Sequence, residues 1–131
     1  MIHERDRQLD WVAQEAVAVP GIESAVIFVA LPGTDTLRLV AAAGIEGPAL
    51  EGLVAAVQDP AHPVARALGD DGPTFDVYPV NPGGPALRSH LPFGGDTGDK
   101  VGVLAVAHDV SLDDVRRREL ILLTERAARH V

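Results

Sequence analysis

The sequence predicts a single α+β domain in which helices cover both faces of an antiparallel sheet. Its 131 residues suit one hydrophobic core. Residues 24–31 and 100–108 are continuous apolar runs, too short for typical helices and typical of inner strands covered on both faces. Amphipathic segments lie near both ends of the chain. Short connections favour antiparallel pairing, and the two terminal helices can then pack side by side on one face of the sheet.

The first element is an amphipathic helix over Glu4–Val19, whose apolar residues recur at helical spacing until a Pro-Gly pair stops it. Ser24–Leu31 is the first strand, and Thr36–Ala43 is its partner. Pro32–Asp35 has the composition of a turn, because glycine tolerates positive φ and proline fixes its own φ. The two strands are therefore predicted to form a hairpin.

Two short helices are predicted in the middle of the chain. The first carries an apolar stripe from Leu50 to Val57. The second begins at Pro63, directly after His62, and runs to Leu68. Proline suits the first position of a helix, where no amide donor is needed.

Three further strands are predicted, over Phe75–Tyr78, Ser89–Phe93 and Lys100–His108. Pro92 cannot donate a hydrogen bond to a neighbouring strand, so the second of these is expected at a sheet edge or a bulge. Loops rich in glycine and proline, over 81–85 and 94–99, separate the three strands.

The last helix is predicted to begin at Ser111, as its N-cap, and to bury an apolar side that ends at Ala127. Asp113 and Asp114 would lie in its first turn, where the helix dipole favours acids. The basic run Arg116–Arg118 is interpreted as a solvated face that pairs with these two acids.

Composition excludes several classes of function. A net charge of -8 disfavours binding to nucleic acid or anionic membranes. The chain has no cysteine, which excludes disulfides, thiolate metal sites and thiol nucleophiles. There is no signal peptide and no apolar stretch of membrane-spanning length, so a cytoplasmic location is expected. Only 4% of the residues are aromatic, so the core must consist mainly of aliphatic side chains.

Among the polar residues, His62 at a helix N-terminus is the foremost ligand-binding candidate. The alternative is a histidine that only caps the helix. Arg66 lies four residues later on the same helix face, so the pair could bind a carboxylate or phosphate. A solvated arginine is the alternative reading of Arg66.

Further ligand-binding candidates lie on the strands: Phe28, Asp76, Tyr78 and His90. The tyrosine is favoured among the aromatic residues because its hydroxyl needs a partner, although core packing is the usual role of an aromatic side chain. Ser89 and His90 do not form a nucleophile–base pair, because adjacent strand residues point to opposite faces. No catalytic residues, metal site or cofactor are predicted.

Several motifs, taken in order, resemble the GAF family of small-molecule sensor domains. They are the segments 39–44 (Leu-Val-Ala-Ala-Ala-Gly), 62–68 (His-Pro-Val-Ala-Arg-Ala-Leu), 89–93 (Ser-His-Leu-Pro-Phe) and 101–106 (Val-Gly-Val-Leu-Ala-Val), followed by the last helix. The resemblance covers nearly the whole chain. It implies a GAF/PAS-like sheet of five or six antiparallel strands, with both terminal helices on one face. On the other face it implies a ligand pocket roofed by the middle helices.

The resemblance also implies a function, namely binding a small molecule and signalling through a homodimer of the terminal helices. Trp11, beside the stripe of the first helix, is either a dimer contact or an ordinary half-buried residue. A histidine kinase, a cyclase or a transcription regulator is the expected partner. One GAF-like branch reduces free methionine sulfoxide through cysteines, which this chain lacks. The alternative function is a ligand-free domain that dimerises or docks onto a signalling partner.

Overall fold

A computed structural model describes residues 4–31, 36–78, 87–94 and 100–131. The predicted turns over 32–35 and 81–85 lie outside these ranges, as do residues 95–99 of the turn predicted over 94–99. In chain order the elements are α1 (Glu4–Ala18), β1 (Ile22–Ala30), β2 (Leu37–Ala43), α2 (Gly47–Ala56), α3 (Pro63–Ala67), β3 (Thr74–Val77), β4 (Leu87–Gly94), β5 (Lys100–His108) and α4 (Asp114–Ala128). Each predicted helix and strand is present within a few residues of its predicted bounds.

The five strands form one antiparallel sheet in the order β2-β1-β5-β4-β3. The two apolar runs of the sequence are its adjacent inner strands, and Ile27 of β1 lies directly opposite Leu104 of β5. Both side chains are fully buried. The predicted α+β architecture is therefore confirmed.

Helices α1 and α4 pack side by side on one face of the sheet, called here the terminal-helix face. Their buried residues recur at helical spacing, so each helix turns one apolar side toward the sheet. This core comprises Leu9, Val12, Ala13 and Ala16 of α1, Leu120 and Ala127 of α4, and strand residues that include Ile27, Leu91, Leu104 and Val106.

A second, smaller core lies on the opposite face, called here the α2/α3 face. It comprises Val26, Phe28, Leu37, Val57, Val64, Ala67, Val103 and Ala105. Both faces of the inner strands are covered, as their continuous apolar sequences predict. The side chain of Gln58, just after α2, ties this layer to β2 by bonding the backbone N–H and carbonyl of Leu37 at 3.2 and 2.7 Å.

Pro92 lies where strand β4 changes from two neighbouring strands to one. Strand β4 lies between β5 and β3 along its first half, so its prediction as an edge strand is wrong there. Strand β3, however, has only four residues and pairs with β4 at Arg88 and His90. At Pro92 the described neighbour is β5 alone, and the register shifts just after Phe93. A missing backbone donor is tolerated at such a position.

The predicted cap of the last helix is also wrong by two residues. Ser111 is exposed and lies before the helix, whereas Asp113 is the N-cap and its carboxylate accepts the amide of Arg116 at 2.9 Å. Both residue types are good caps, so sequence alone could not rank them. Among the described helices, none combines the length and apolarity needed to cross a membrane.

Candidate functional site

His62 lies at the start of α3, on the α2/α3 face. It is the N-cap of this helix, and its Nδ1 accepts the backbone N–H of Val64 at 3.1 Å. In the neutral ring the proton is therefore on Nε2, which is left to donate a hydrogen bond. Burial lowers the pKa of His62, although the charge of Asp59 opposes this effect. The half-buried His62 is thus a neutral donor near physiological pH.

His90 of β4 faces the same layer from the sheet. It lies opposite Ala105, which belongs to the α2/α3 core, and directly opposed residues of paired strands share a face. His90 is only 6% exposed. Burial, with the nearby charges of His62 and Arg88, lowers the pKa of His90 to about 4.

The surroundings of the two histidines carry charges of both signs. Arg88 and Asp70 act on the titration of His90 in opposite directions, and Asp59 acts on that of His62. Arg66 lies on α3, one turn after the cap, and is exposed. The site therefore combines two neutral imidazoles, which can donate or accept, with an arginine at its rim.

The remaining residues predicted to bind a ligand lie in different surroundings. Phe28 is completely buried in the α2/α3 core. Tyr78 follows β3 and is 79% exposed. Asp76 turns its carboxylate toward the start of α4, where both oxygens accept hydrogen bonds. The structure thus brings His62 and His90 together and leaves Asp76 elsewhere.

A serine–histidine pair does exist, but it joins Ser89 to His108 and not to His90. The Oγ of Ser89 lies 2.8 Å from Nε2 of His108, and Nδ1 of His108 lies 2.7 Å from the carbonyl oxygen of Val110. Because a carbonyl only accepts, Nδ1 carries the ring proton and Nε2 accepts from the serine hydroxyl. Both side chains are fully buried, so the pair is closed to any substrate in this conformation.

Asp76 extends this pair into a larger polar network. Its backbone N–H donates to Oγ of Ser89 at 3.1 Å. Its carboxylate accepts the amide of Leu112 at 3.1 Å and Arg117 Nη2 at 2.8 Å. We call the set Asp76, Ser89, His108, Val110, Leu112 and Arg117 the polar network. It joins the ends of three strands to the beginning of α4.

Sequence reasoning missed the polar network for two reasons. Ser89 and His108 are diagonal neighbours on adjacent strands, and this relation needs the strand register. The sequence predicts Arg117 on a solvated face that pairs with Asp113 and Asp114. In the structure Arg117 pairs with Asp76, and its guanidinium lies 4.8 Å from the ring centre of Phe75. Only Arg116 makes a predicted pair, with Asp113 at 3.2 Å.

Two surface grooves flank α4 on the terminal-helix face, and Leu122 lines both. One, of about 620 Å³, lies between α4 and Phe75 of β3. The other, of about 470 Å³, lies between α4 and α1 and includes Trp11. Leu122 is 56% exposed and Trp11 is 40% exposed, with the Arg126 guanidinium 3.9 Å from the centre of the indole ring. The exposed side chain of Leu122 therefore forms an apolar ridge between two open grooves.

The described residues contain no cluster of three side chains suited to hold a metal ion. No protein-family model matches the sequence, and no curated protein matches it.

Solved structures similar to this chain include a GAF domain, part of a chemotaxis protein and a reductase. The second GAF domain of DevS from Mycobacterium smegmatis is 19% identical, with a TM-score of 0.72 over 97% of this chain and 93% of that one. Residues 122 to 287 of a methyl-accepting chemotaxis protein are 20% identical, with a TM-score of 0.70 over 97% and 88%. A type II free methionine-R-sulfoxide reductase from Thermoplasma acidophilum is 12% identical, with a TM-score of 0.73 over 96% and 90%.

These likenesses span nearly the whole chain and include the sheet, both terminal helices and the α2/α3 layer. At this level of identity they establish architecture. The protein has the fold of GAF domains.

Proposed function

We propose that this chain is a sensory GAF-type domain that binds a small molecule on the α2/α3 face. The observation that carries the proposal is that His90, which is only 6% exposed, lies close enough to His62 on this face for the charge of His62 to help lower its pKa. A buried titratable side chain whose pKa is shifted by burial and by a specific neighbour is typical of a functional site. A small set of polar groups in an otherwise aliphatic layer is likewise typical of a ligand-binding site.

The chemistry beside His90 favours a ligand with a hydrogen-bonding or anionic group. His62 offers Nε2–H, and the exposed Arg66 on the same short helix supplies a positive charge. The aliphatic core around Phe28 would contact an apolar part of the ligand. Asp76 and Tyr78 stay predicted ligand contacts, although the Asp76 carboxylate bonds Leu112 and Arg117 and Tyr78 is 79% exposed.

The output side of the proposed sensor is the terminal-helix face. Leu122 and Trp11 present apolar surface there, and aromatic and aliphatic anchors of this kind are typical of interfaces. We propose that α1 and α4 form a homodimer and that the domain acts on a histidine kinase, a cyclase or a transcription regulator in the cytoplasm. The fold's occurrence in a chemotaxis protein supports a signalling role.

A thermal-shift screen against purines, cyclic nucleotides, amino acids and small carboxylates tests ligand binding. A ligand at 100 times its Kd stabilises the folded state by about 2.7 kcal/mol, which is easily detected. We expect a stabilising compound to lose its effect in His90→Phe, which fills the site, and to keep it in the matched control His130→Gln on the far side of the fold. A compound that stabilises both variants equally would place binding elsewhere.

The second candidate function is a ligand-free interaction domain. It is favoured by the two open grooves beside Leu122, both on the terminal-helix face. In that case no compound class would stabilise the protein, while substitutions at Leu122 would still abolish association with a partner.

An enzymatic role is not proposed. Although a reductase shares the fold, this chain has no cysteine for thiol chemistry, and its buried serine–histidine pair is inaccessible.

A further inference from the structure

We propose that the polar network is a mechanical relay that couples the α2/α3 face to the first turn of α4, with the Asp76–Arg117 ion pair as its releasable link. The regulatory meaning of this relay rests on the proposed function. Its existence can be tested without a ligand.

The relay begins at two adjacent residues of β4. His90 faces the α2/α3 side, whereas Ser89 faces the terminal-helix side and lies opposite Val106 of that core. A strand places consecutive side chains on opposite faces. Any movement of the backbone that follows a change at His90 therefore also moves Ser89.

Ser89 then bonds the backbone of β3 at an unusual point. Its Oγ accepts the N–H of Asp76, which has a φ of 59° although it is not a glycine. The register between β3 and β4 shifts at this place. A left-handed residue in a strand is held only when its surroundings over-determine it. Asp76 makes three hydrogen bonds, one through its N–H and two through its carboxylate. The conformation of β3 is thus tied to the bonds of Asp76.

Asp76 finally holds the residues that lead into α4. Its Oδ1 accepts the amide of Leu112, and its Oδ2 accepts Arg117 Nη2. Arg117 in turn donates from Nε to the carbonyl oxygen of Leu112 at 2.9 Å and lies over the ring of Phe75. The carboxylate of Asp76 holds the backbone N–H of Leu112, and the guanidinium of Arg117 holds its carbonyl oxygen, just before the helix begins.

The link is suited to opening because it is only partly shielded from water. The side chains of Arg117 and Asp76 are 37% and 19% exposed. An ion pair in contact with solvent contributes little net stability. The rest of α4 is anchored independently by the buried Leu120 and Ala127. Release would therefore free the first turn, with the exposed Val115 and Arg118, without detaching the helix.

Hydrogen exchange of the Leu112 amide is the direct readout, with Leu120 in the same helix as the internal reference. We expect Arg117→Met to accelerate exchange at Leu112 at least tenfold relative to Leu120. Asp76→Asn, which keeps an acceptor for that amide but loses the charge, should accelerate it less. Arg116→Met is the matched control, since Arg116 pairs only with Asp113 in its own helix turn, and should leave Leu112 unchanged.

Coupling to the α2/α3 face is tested by His90→Ala. We expect this substitution to change exchange at Leu112 at least threefold in the parent and in the Arg116→Met background, and to have no effect once Arg117→Met has opened the link. Equal effects of His90→Ala in all three backgrounds, or no effect in any, overturn the relay. His90→Gln repeats the test with a milder change if His90→Ala is unstable. Because no ligand is added, a failed ligand screen leaves this outcome unaffected.

Discussion

His90 is buried in a neutral form, and that state has a measurable consequence. The pKa of His90 is about 4 in the folded protein, against an ordinary value near 6.5 for an unfolded histidine. Between these values the unfolded chain binds the proton and the folded chain does not. Stability therefore rises with pH over this window and falls as the solution is made acidic below pH 6.5.

We predict that lowering the pH from 7.5 to 5.5 removes about 1 kcal/mol of stability through His90 alone. His90→Gln, which cannot titrate, should lack this part of the pH dependence. Urea unfolding of the parent and the variant at both pH values measures the difference. If the free energy of unfolding changes equally between the two pH values in both proteins, His90 is not buried as described.

The bonded pair of Ser89 and His108 makes a second prediction for single residues. Ser89→Ala leaves both Nε2 of His108 and the N–H of Asp76 without their partner in a buried place. Such groups cost about 1–3 kcal/mol when they are left unsatisfied. Thr74→Ala on the neighbouring strand changes an exposed side chain and should cost less than about 0.5 kcal/mol. Chemical denaturation of both variants compares them, and equal small losses would contradict the network.

Single residues were the least predictable level of this protein. His62 could be located because Pro63 fixes a helix start next to it. The environment of His90 could not be predicted from the sequence, because its burial depends on which strand lies beside β4. The partners of Asp76 are 13, 36 and 41 positions away, and no local pattern records such distances.

At the scale of elements, local physical chemistry fixed the type of each segment more firmly than its ends. The apolar runs of β1 and β5 left no exposed side for a solvated strand, and the proline at the start of α3 left little freedom in its first turn. The beginning of α4 was ambiguous because Ser111, Asp113 and Asp114 are all acceptable near a helix N-terminus. The position of β4 in the sheet was ambiguous, because the length of β3 decides how far β4 has a neighbour on that side.

The cap of α4 supplies the prediction at this scale. Asp113→Ala should destabilise the protein by about 1 kcal/mol, because the amide of Arg116 loses its acceptor. Ser111→Ala should leave stability unchanged within error. Thermal unfolding of the two variants decides between these caps, and the reverse ranking would restore Ser111 as the helix start.

At the scale of the whole molecule, the terminal-helix face is where two copies of the chain would meet. We predict that Leu122→Glu weakens self-association at least tenfold, because a charge would replace the apolar ridge between the two grooves. Leu31→Glu, at another exposed apolar residue, is the matched control. Sedimentation equilibrium over a range of concentrations measures both. A parent protein that stays monomeric throughout would remove the dimer from the proposal.

The central claim is that a small molecule binds beside His62 and His90, and the chain carries convenient probes for it. It has five histidines and one tryptophan, so ring signals from selectively labelled protein can be followed one by one by NMR. On titration with a compound that raises the melting temperature, we predict that the ring signals of His62 and His90 shift first. Those of His130 and the Trp11 indole, at the terminal helices, should stay unchanged at low saturation. Shifts that begin at Trp11 or His130, with His62 and His90 unaffected at saturation, would contradict it.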